Sequence, residues 1–110
     1  MHPRRGEVWW VSFDPSVGGE IQKTRPAIIM SNNAANSMLN RVIVVPLTSQ
    51  ITKVYPGEAL VTLNGEQRKA MADQIMSAAK RRLRAKLGVL SMSDVTAVEN
   101  AVLLQLGIRR

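Results

Sequence analysis

Apolar and polar positions along this chain alternate in short runs broken by turn residues. Glu7-Val8-Trp9-Trp10-Val11-Ser12-Phe13 is rich in aromatic and β-branched residues and stops at Asp14-Pro15, which predicts a strand closed by a turn. Ser16 to Thr24 contains Gly18-Gly19 and few apolar positions, the pattern of a mobile loop, and leads into a second strand over Pro26 to Met30. Pro26 has no N–H to give a central ladder, so it is expected at that strand's start or on an edge. Asn32 to Leu39 is polar with two alanines and predicts a short helix that Ser31 could cap. Arg41 to Pro46 is a β-branched run that predicts a third strand able to be buried on both faces, and Leu47 to Gln50 leaves it as a polar turn. Ala59 to Leu63 predicts a fourth strand, closed by the turn dipeptide Asn64-Gly65. Lys69 to Met76 fits either period, and we read it as a strand.

The C-terminal pattern is of another kind. Ser91-Met92-Ser93-Asp94 matches a capping box, and Val95, Val98, Val102 and Leu106 follow at helical spacing, so an amphipathic helix is expected to end near Gly107. About five to seven short strands and one terminal helix give an α+β fold, a small SH3-like β-barrel with a C-terminal helix packed on it. No repeat or linker divides residues 1–110, which read as a single domain.

Composition narrows the chemistry. The chain has 110 residues, 45% of them hydrophobic, and no apolar run approaches the ~20 residues needed to span a bilayer. No secretory pattern precedes the first strand, so a cytoplasmic protein is expected, with no membrane partner. There is no cysteine and one histidine, His2, which removes thiolate nucleophiles, cysteine zinc sites and paired-histidine acid–base chemistry. No metal or cofactor is expected. Lys and Arg number 15 against 8 Asp and Glu, and the net charge of +7 points to a polyanionic partner, or more simply to a solvated basic face.

Three segments could carry chemistry. The loop Gly18 to Pro26 brings Glu20, Lys23 and Arg25 to the mouth of a strand, and Pro26 biases Arg25 toward extended geometry. An arginine so held suits phosphate, or it pairs with Glu20 as a structural ion pair. Thr48-Ser49 places hydroxyls at a strand end, where a threonine also commonly bonds its own backbone. Lys80-Arg81-Arg82-Leu83-Arg84-Ala85-Lys86 reads as a solvated turn, or as a phosphate-backbone contact. Trp9, Trp10 and Phe13 are taken as structural aromatics.

The order Arg5-Gly6-Glu7-Val8-Trp9, Phe13-Asp14-Pro15, Gly18-Gly19-Glu20, Arg25-Pro26-Ala27, Ser31-Asn32, Val45-Pro46-Leu47-Thr48-Ser49-Gln50 and Ala72-Asp73-Gln74-Ile75 resembles the MazF/PemK (Kid) toxins of bacterial toxin–antitoxin pairs, over nearly the whole chain. The resemblance implies a dimeric barrel of the CcdB/MazF kind and a metal-independent, sequence-specific endoribonuclease, an mRNA interferase, acting on single-stranded RNA. It implies Arg25 and Thr48 as the catalytic pair and Glu20 as an active-site loop residue. Glu20, Lys23, Thr24, Ser49, Gln50, Asp73 and Gln74 are expected to contact RNA, with Asp73-Gln74 able to meet the antitoxin instead. The cognate antitoxin is expected to be acidic. Some members carry a histidine immediately before the arginine; here Thr24 stands there, and no histidine-mediated proton transfer is implied. A CcdB-like toxin aimed at a protein target and a non-catalytic RNA-binding barrel are the alternative readings.

Overall fold

The computed structural model describes residues 2–15, 17–20 and 22–109. Seven antiparallel strands form one curled sheet: β1 (Glu7–Ser12), β2 (Thr24–Ile29), β3 (Arg41–Thr48), β4 (Glu58–Leu63), β5 (Glu66–Met71), β6 (Met76–Ala79) and β7 (Leu83–Val89). Helix α1 (Asn33–Met38) lies between β2 and β3, and α2 (Met92–Gln105) follows β7. The strand order is β4-β5-β3-β2-β1-β7, with β6 also paired to β3. This is the expected α+β barrel with a terminal helix.

Alternation along the central strands feeds two cores, one on each face. Val8, Ile28, Val45 and Leu47 pack with Val61, Ala70, Leu90 and Val98, so this face is covered by β4, β5 and α2. Val11, Phe13, Ala27, Ile29, Val42, Val44 and Ala78 pack on the other face, with Trp9, Met76 and Leu83 at its margin. Of the three aromatics taken as structural, Phe13 is buried, Trp9 is half-buried and Trp10 stands partly in solvent.

Several expectations hold in detail. Ser91 caps α2 by accepting from the Asp94 N–H at 3.2 Å, and Val98 and Ala101 are the buried residues of its stripe. Leu106 instead lies exposed at the helix end. Asn64 and Gly65 both have positive φ, 50° and 83°, as a two-residue hairpin turn requires between Leu63 and its partner Glu66. Pro26 pairs with Trp10 of β1 just before the Ala27–Ile29 stretch that pairs with β3, so it sits near the strand start as expected.

Four expectations are corrected. The cap of α1 is Asn32, whose Oδ1 accepts from the Ala35 N–H at 2.8 Å. Ser31 instead accepts from the Ile43 N–H at 3.0 Å and donates to buried Asn36. Leu47 and Thr48 remain in β3, because β5 continues the ladder there through Leu47↔Ala70 and Thr48↔Lys69. The run Lys80 to Lys86 is a 3-10 turn (Lys80–Arg82) followed by strand β7, not a solvated turn.

The fourth correction shapes the site. Lys69 to Met76 is the end of β5, a 3-10 turn at Ala72–Gln74 and the start of β6. Both strands run along the same edge of β3, but from Leu47↔Ala70 to Val44↔Met76 the chain advances three residues on β3 and six on its partner. The surplus forms the 3-10 turn, closed by Ile75 N–H to Ala72 O at 3.2 Å. Buried Ala72 anchors it, and Asp73 and Gln74 are lifted out of the sheet.

Candidate active site

The ladder between β2 and β3 ends at Ala27↔Pro46, and Arg25 and Thr48 each lie two residues beyond that last pair, on the ends of neighbouring strands. Arg25 lies two residues before Ala27 and Thr48 four after Val44, so alternation places both on the face of the Val11–Phe13 core, at its open rim. On the other side of β2, Arg25 pairs with Val11 of β1. Its Nε donates to the Gln22 carbonyl at 3.2 Å. Glu20 does not pair with it: Glu20 Oε1 accepts from the Val17 N–H at 2.7 Å. The arginine is therefore half-buried, oriented by backbone, and without a carboxylate partner among the described residues. Thr48 Oγ1 accepts from the Gln50 N–H at 3.2 Å, the local backbone bond expected of such a threonine, and its hydroxyl hydrogen can still donate.

Beside this pair is a cleft of about 270 Å³ lined by Phe13, Pro15, Glu20, Asp73, Gln74, Ile75, Met76 and Arg82. Glu20, Asp73 and Gln74 are thus brought together from segments far apart in sequence. Arg25 and Thr48 do not line the cleft; they lie next to it on the same face. Lys23, Thr24, Ser49 and Gln50 are exposed on the two segments that flank the pair. Ser16 and Ile21, in the loop expected to be mobile, lie outside the described residues.

The rim of the cleft is held by backbone contacts. Lys23, in the left-handed region at φ 66°, donates its N–H to Asp14 Oδ1 at 2.9 Å, and its carbonyl accepts from the Phe13 N–H at 2.8 Å. Arg82 Nη1 donates to the carbonyls of Ser12 at 3.1 Å and Asp14 at 2.7 Å. Sequence reasoning saw Arg82 only as one cation in a run. It also missed Lys69, which stands across the β3–β5 ladder from Thr48.

The fold is a small curled barrel of charge +7 whose rim carries an arginine and a threonine near a cleft lined by two carboxylates. The family described as PemK-like, MazF-like toxin of type II toxin-antitoxin system matches residues 4–106, and the chain belongs to it. Among curated relatives, Endoribonuclease MazF9 of Mycobacterium tuberculosis is 40% identical over 114 aligned residues, which cover 96% of this chain and 97% of that protein. The crystal structure of MazF (Form-I) from Deinococcus radiodurans superposes with a TM-score of 0.86 at 25% identity, covering 98% of this chain and 99% of that one. The MazE-MazF (Form-II) structure from the same organism gives a TM-score of 0.78 at 25% identity, covering 99% of both chains. No helix among the described residues is long and apolar enough to cross a membrane.

Proposed function

We propose that this chain is a sequence-specific endoribonuclease toxin that cleaves single-stranded RNA in the cytoplasm without a metal ion, works as a homodimer and is restrained by an acidic antitoxin. The observation that carries the reading is that Arg25 and Thr48 stand just past the Ala27↔Pro46 end of the β2–β3 ladder, near a cleft with two carboxylates. RNA supplies its own nucleophile, the 2′-hydroxyl, so positioning and charge stabilisation suffice for the reaction. The 2′-oxygen attacks the adjacent phosphorus, the bond to the 5′-oxygen breaks, and the products are a 2′,3′-cyclic phosphate and a 5′-hydroxyl. Arg25 offers its planar donor fork to the phosphoryl oxygens as negative charge builds on them. Thr48 donates to a phosphate oxygen or orients the 2′-hydroxyl. The 2′ proton passes to a base, for which Glu20 and Asp73 are the carboxylates of the cleft. The 5′-oxygen leaves with a proton taken from water.

Support comes from the family, whose description names a toxin–antitoxin system, and from a relative named an endoribonuclease. The test is incubation of the pure protein with a long mixed-sequence RNA in EDTA, followed by mapping of the ends. Cleavage should proceed and leave cyclic phosphates, and a 2′-deoxy nucleotide at the scissile position should block it. Inhibition by EDTA, or cutting at the 2′-deoxy site, would refute the mechanism. Absence of any cleavage would favour a protein-poisoning toxin or a non-catalytic RNA-binding barrel.

A further inference from the structure

Tyr55 is the chain's only tyrosine and is 57% exposed, on the loop that joins β3 to β4 a few residues beyond Thr48. An exposed ring on a surface loop usually comes with little local structure. Here the backbone around it is fastened on every side. The Tyr55 N–H donates to Glu58 Oε1 at 2.8 Å, and the Tyr55 carbonyl accepts from the Glu58 N–H at 3.0 Å. Lys69 Nζ pairs with that Glu58 oxygen at 3.3 Å and also donates to the Lys53 carbonyl at 3.0 Å. Gly57 O accepts from the Ala72 N–H at 3.2 Å, which ties the loop to the turn carrying Asp73 and Gln74. Gly57 has φ 84°, a left-handed backbone that favours glycine, and the exposed end of the Gln105 side chain of α2 lies over it.

The fastening begins at the site. Lys69 is the cross-strand partner of Thr48, and its Nζ lies 6.0 Å from the Tyr55 ring centroid. Both side chains of the Lys69–Glu58 pair are 12% exposed, so two charges are largely desolvated, at a cost, to hold this loop in place. The ring so presented is left open to solvent. A strand whose scissile phosphate lies at Thr48 would, on running past β5, bring a neighbouring nucleotide to it, with exposed Lys53 on the same loop to meet phosphate.

We propose that Tyr55 is a base-stacking platform that binds one nucleotide of the RNA beside the scissile step, with Lys69 and Glu58 as the positioning residues that hold it. The proposal rests on the endoribonuclease reading and adds a binding residue to it. Aromatic rings take any base on their faces, so Tyr55 contributes affinity with little sequence choice.

The test uses the whole protein and a short single-stranded RNA built around a cleavage site mapped for the wild type, with 2′-deoxy at the scissile nucleotide for binding and the all-ribose strand for kinetics. Tyr55→Leu should weaken binding about 5- to 100-fold and raise KM with kcat nearly unchanged, whereas Tyr55→Phe should bind like wild type. An abasic nucleotide at one flanking position should weaken the wild type but not Tyr55→Leu. Tyr55→Leu binding within twofold of wild type, or equal sensitivity of both proteins to every abasic position, overturns the proposal while wild-type cleavage leaves the endoribonuclease reading standing. A wild type that cleaves no RNA overturns both. Unchanged RNA binding together with lost binding of an acidic antitoxin peptide would assign the ring to the protein partner and overturn it as well.

Discussion

Gln74 Nε2 donates to the carbonyl of Gly19 at 3.3 Å, joining segments 55 positions apart in sequence. One wall of the cleft is the turn extruded between β5 and β6, and the other is the glycine loop between β1 and β2. Gln74→Ala should therefore loosen the loop and raise KM severalfold, the loss of the Gly19 bond alone costing about 1 kcal/mol of stability. Limited proteolysis of the RNA-free protein should show faster cutting in the loop. An unchanged proteolysis pattern would mean that the contact does not hold the wall.

Arg25→Ala and Thr48→Ala should each slow cleavage by about 10² or more, the usual loss for one transition-state donor. Neither side chain belongs to a core cluster, so melting temperature and circular dichroism should match the wild type. Both variants cutting within about threefold of wild type, a difference under 1 kcal/mol, would remove them from the reaction.

Stability should fall in acid partly through Glu7. Burial pushes its carboxyl up, but the Arg4 N–H, the Lys86 ammonium and the Trp9 indole N–H, all bonded to it, outweigh burial and hold it below the usual carboxylate range. A folded-state value below the unfolded one means stability that is present above the unfolded value, about 4.3, and is lost as pH falls through the folded value. Glu7→Gln should melt lower than wild type at neutral pH, and the gap should close below about pH 4. Thermal melts from pH 7 to 3 check this; a constant gap across the range would show that ionisation of Glu7 does not matter.

An acidic antitoxin segment should compete with RNA for the Glu20 to Arg25 loop and the basic face. The net charge of +7 favours fast capture of such a partner, and raised salt should weaken its inhibition as the charges are screened. Titrating cleavage with the peptide at two salt concentrations gives the readout. Tight binding that leaves RNA affinity untouched would place the antitoxin elsewhere.

Local periodicity made the first four strands, both helices and the Asn64-Gly65 hairpin legible, because each is specified by neighbours in sequence. β7 was legible too and was misread: Leu83, Ala85, Leu87 and Val89 alternate with Arg84 and Lys86, a period of two hidden under the density of charge. The turn at Ala72–Gln74 was not legible. It arises from a three-residue mismatch in how β5 and β6 register on β3, which no local pattern encodes. The same holds for the site: the motif resemblance pointed to Arg25 and Thr48, but that they stand at the same end of neighbouring strands follows from the β2–β3 register. Arg82's grip on Ser12 and Asp14, and Lys69's on the Tyr55 loop, connect residues whose separation in sequence gives no sign of the contact.

Because β3 takes β2 on one edge and β5 and β6 in turn on the other, the order of synthesis sets the order in which the site comes together. A nascent chain that has emerged only through β3 already carries Arg25 and Thr48, yet it lacks Asp73 and Gln74 from one wall and the Arg82 side chain that clasps the end of β1. The cleft beside Arg25 and Thr48 is therefore completed only after β6 and the Arg82 turn have been added to the chain.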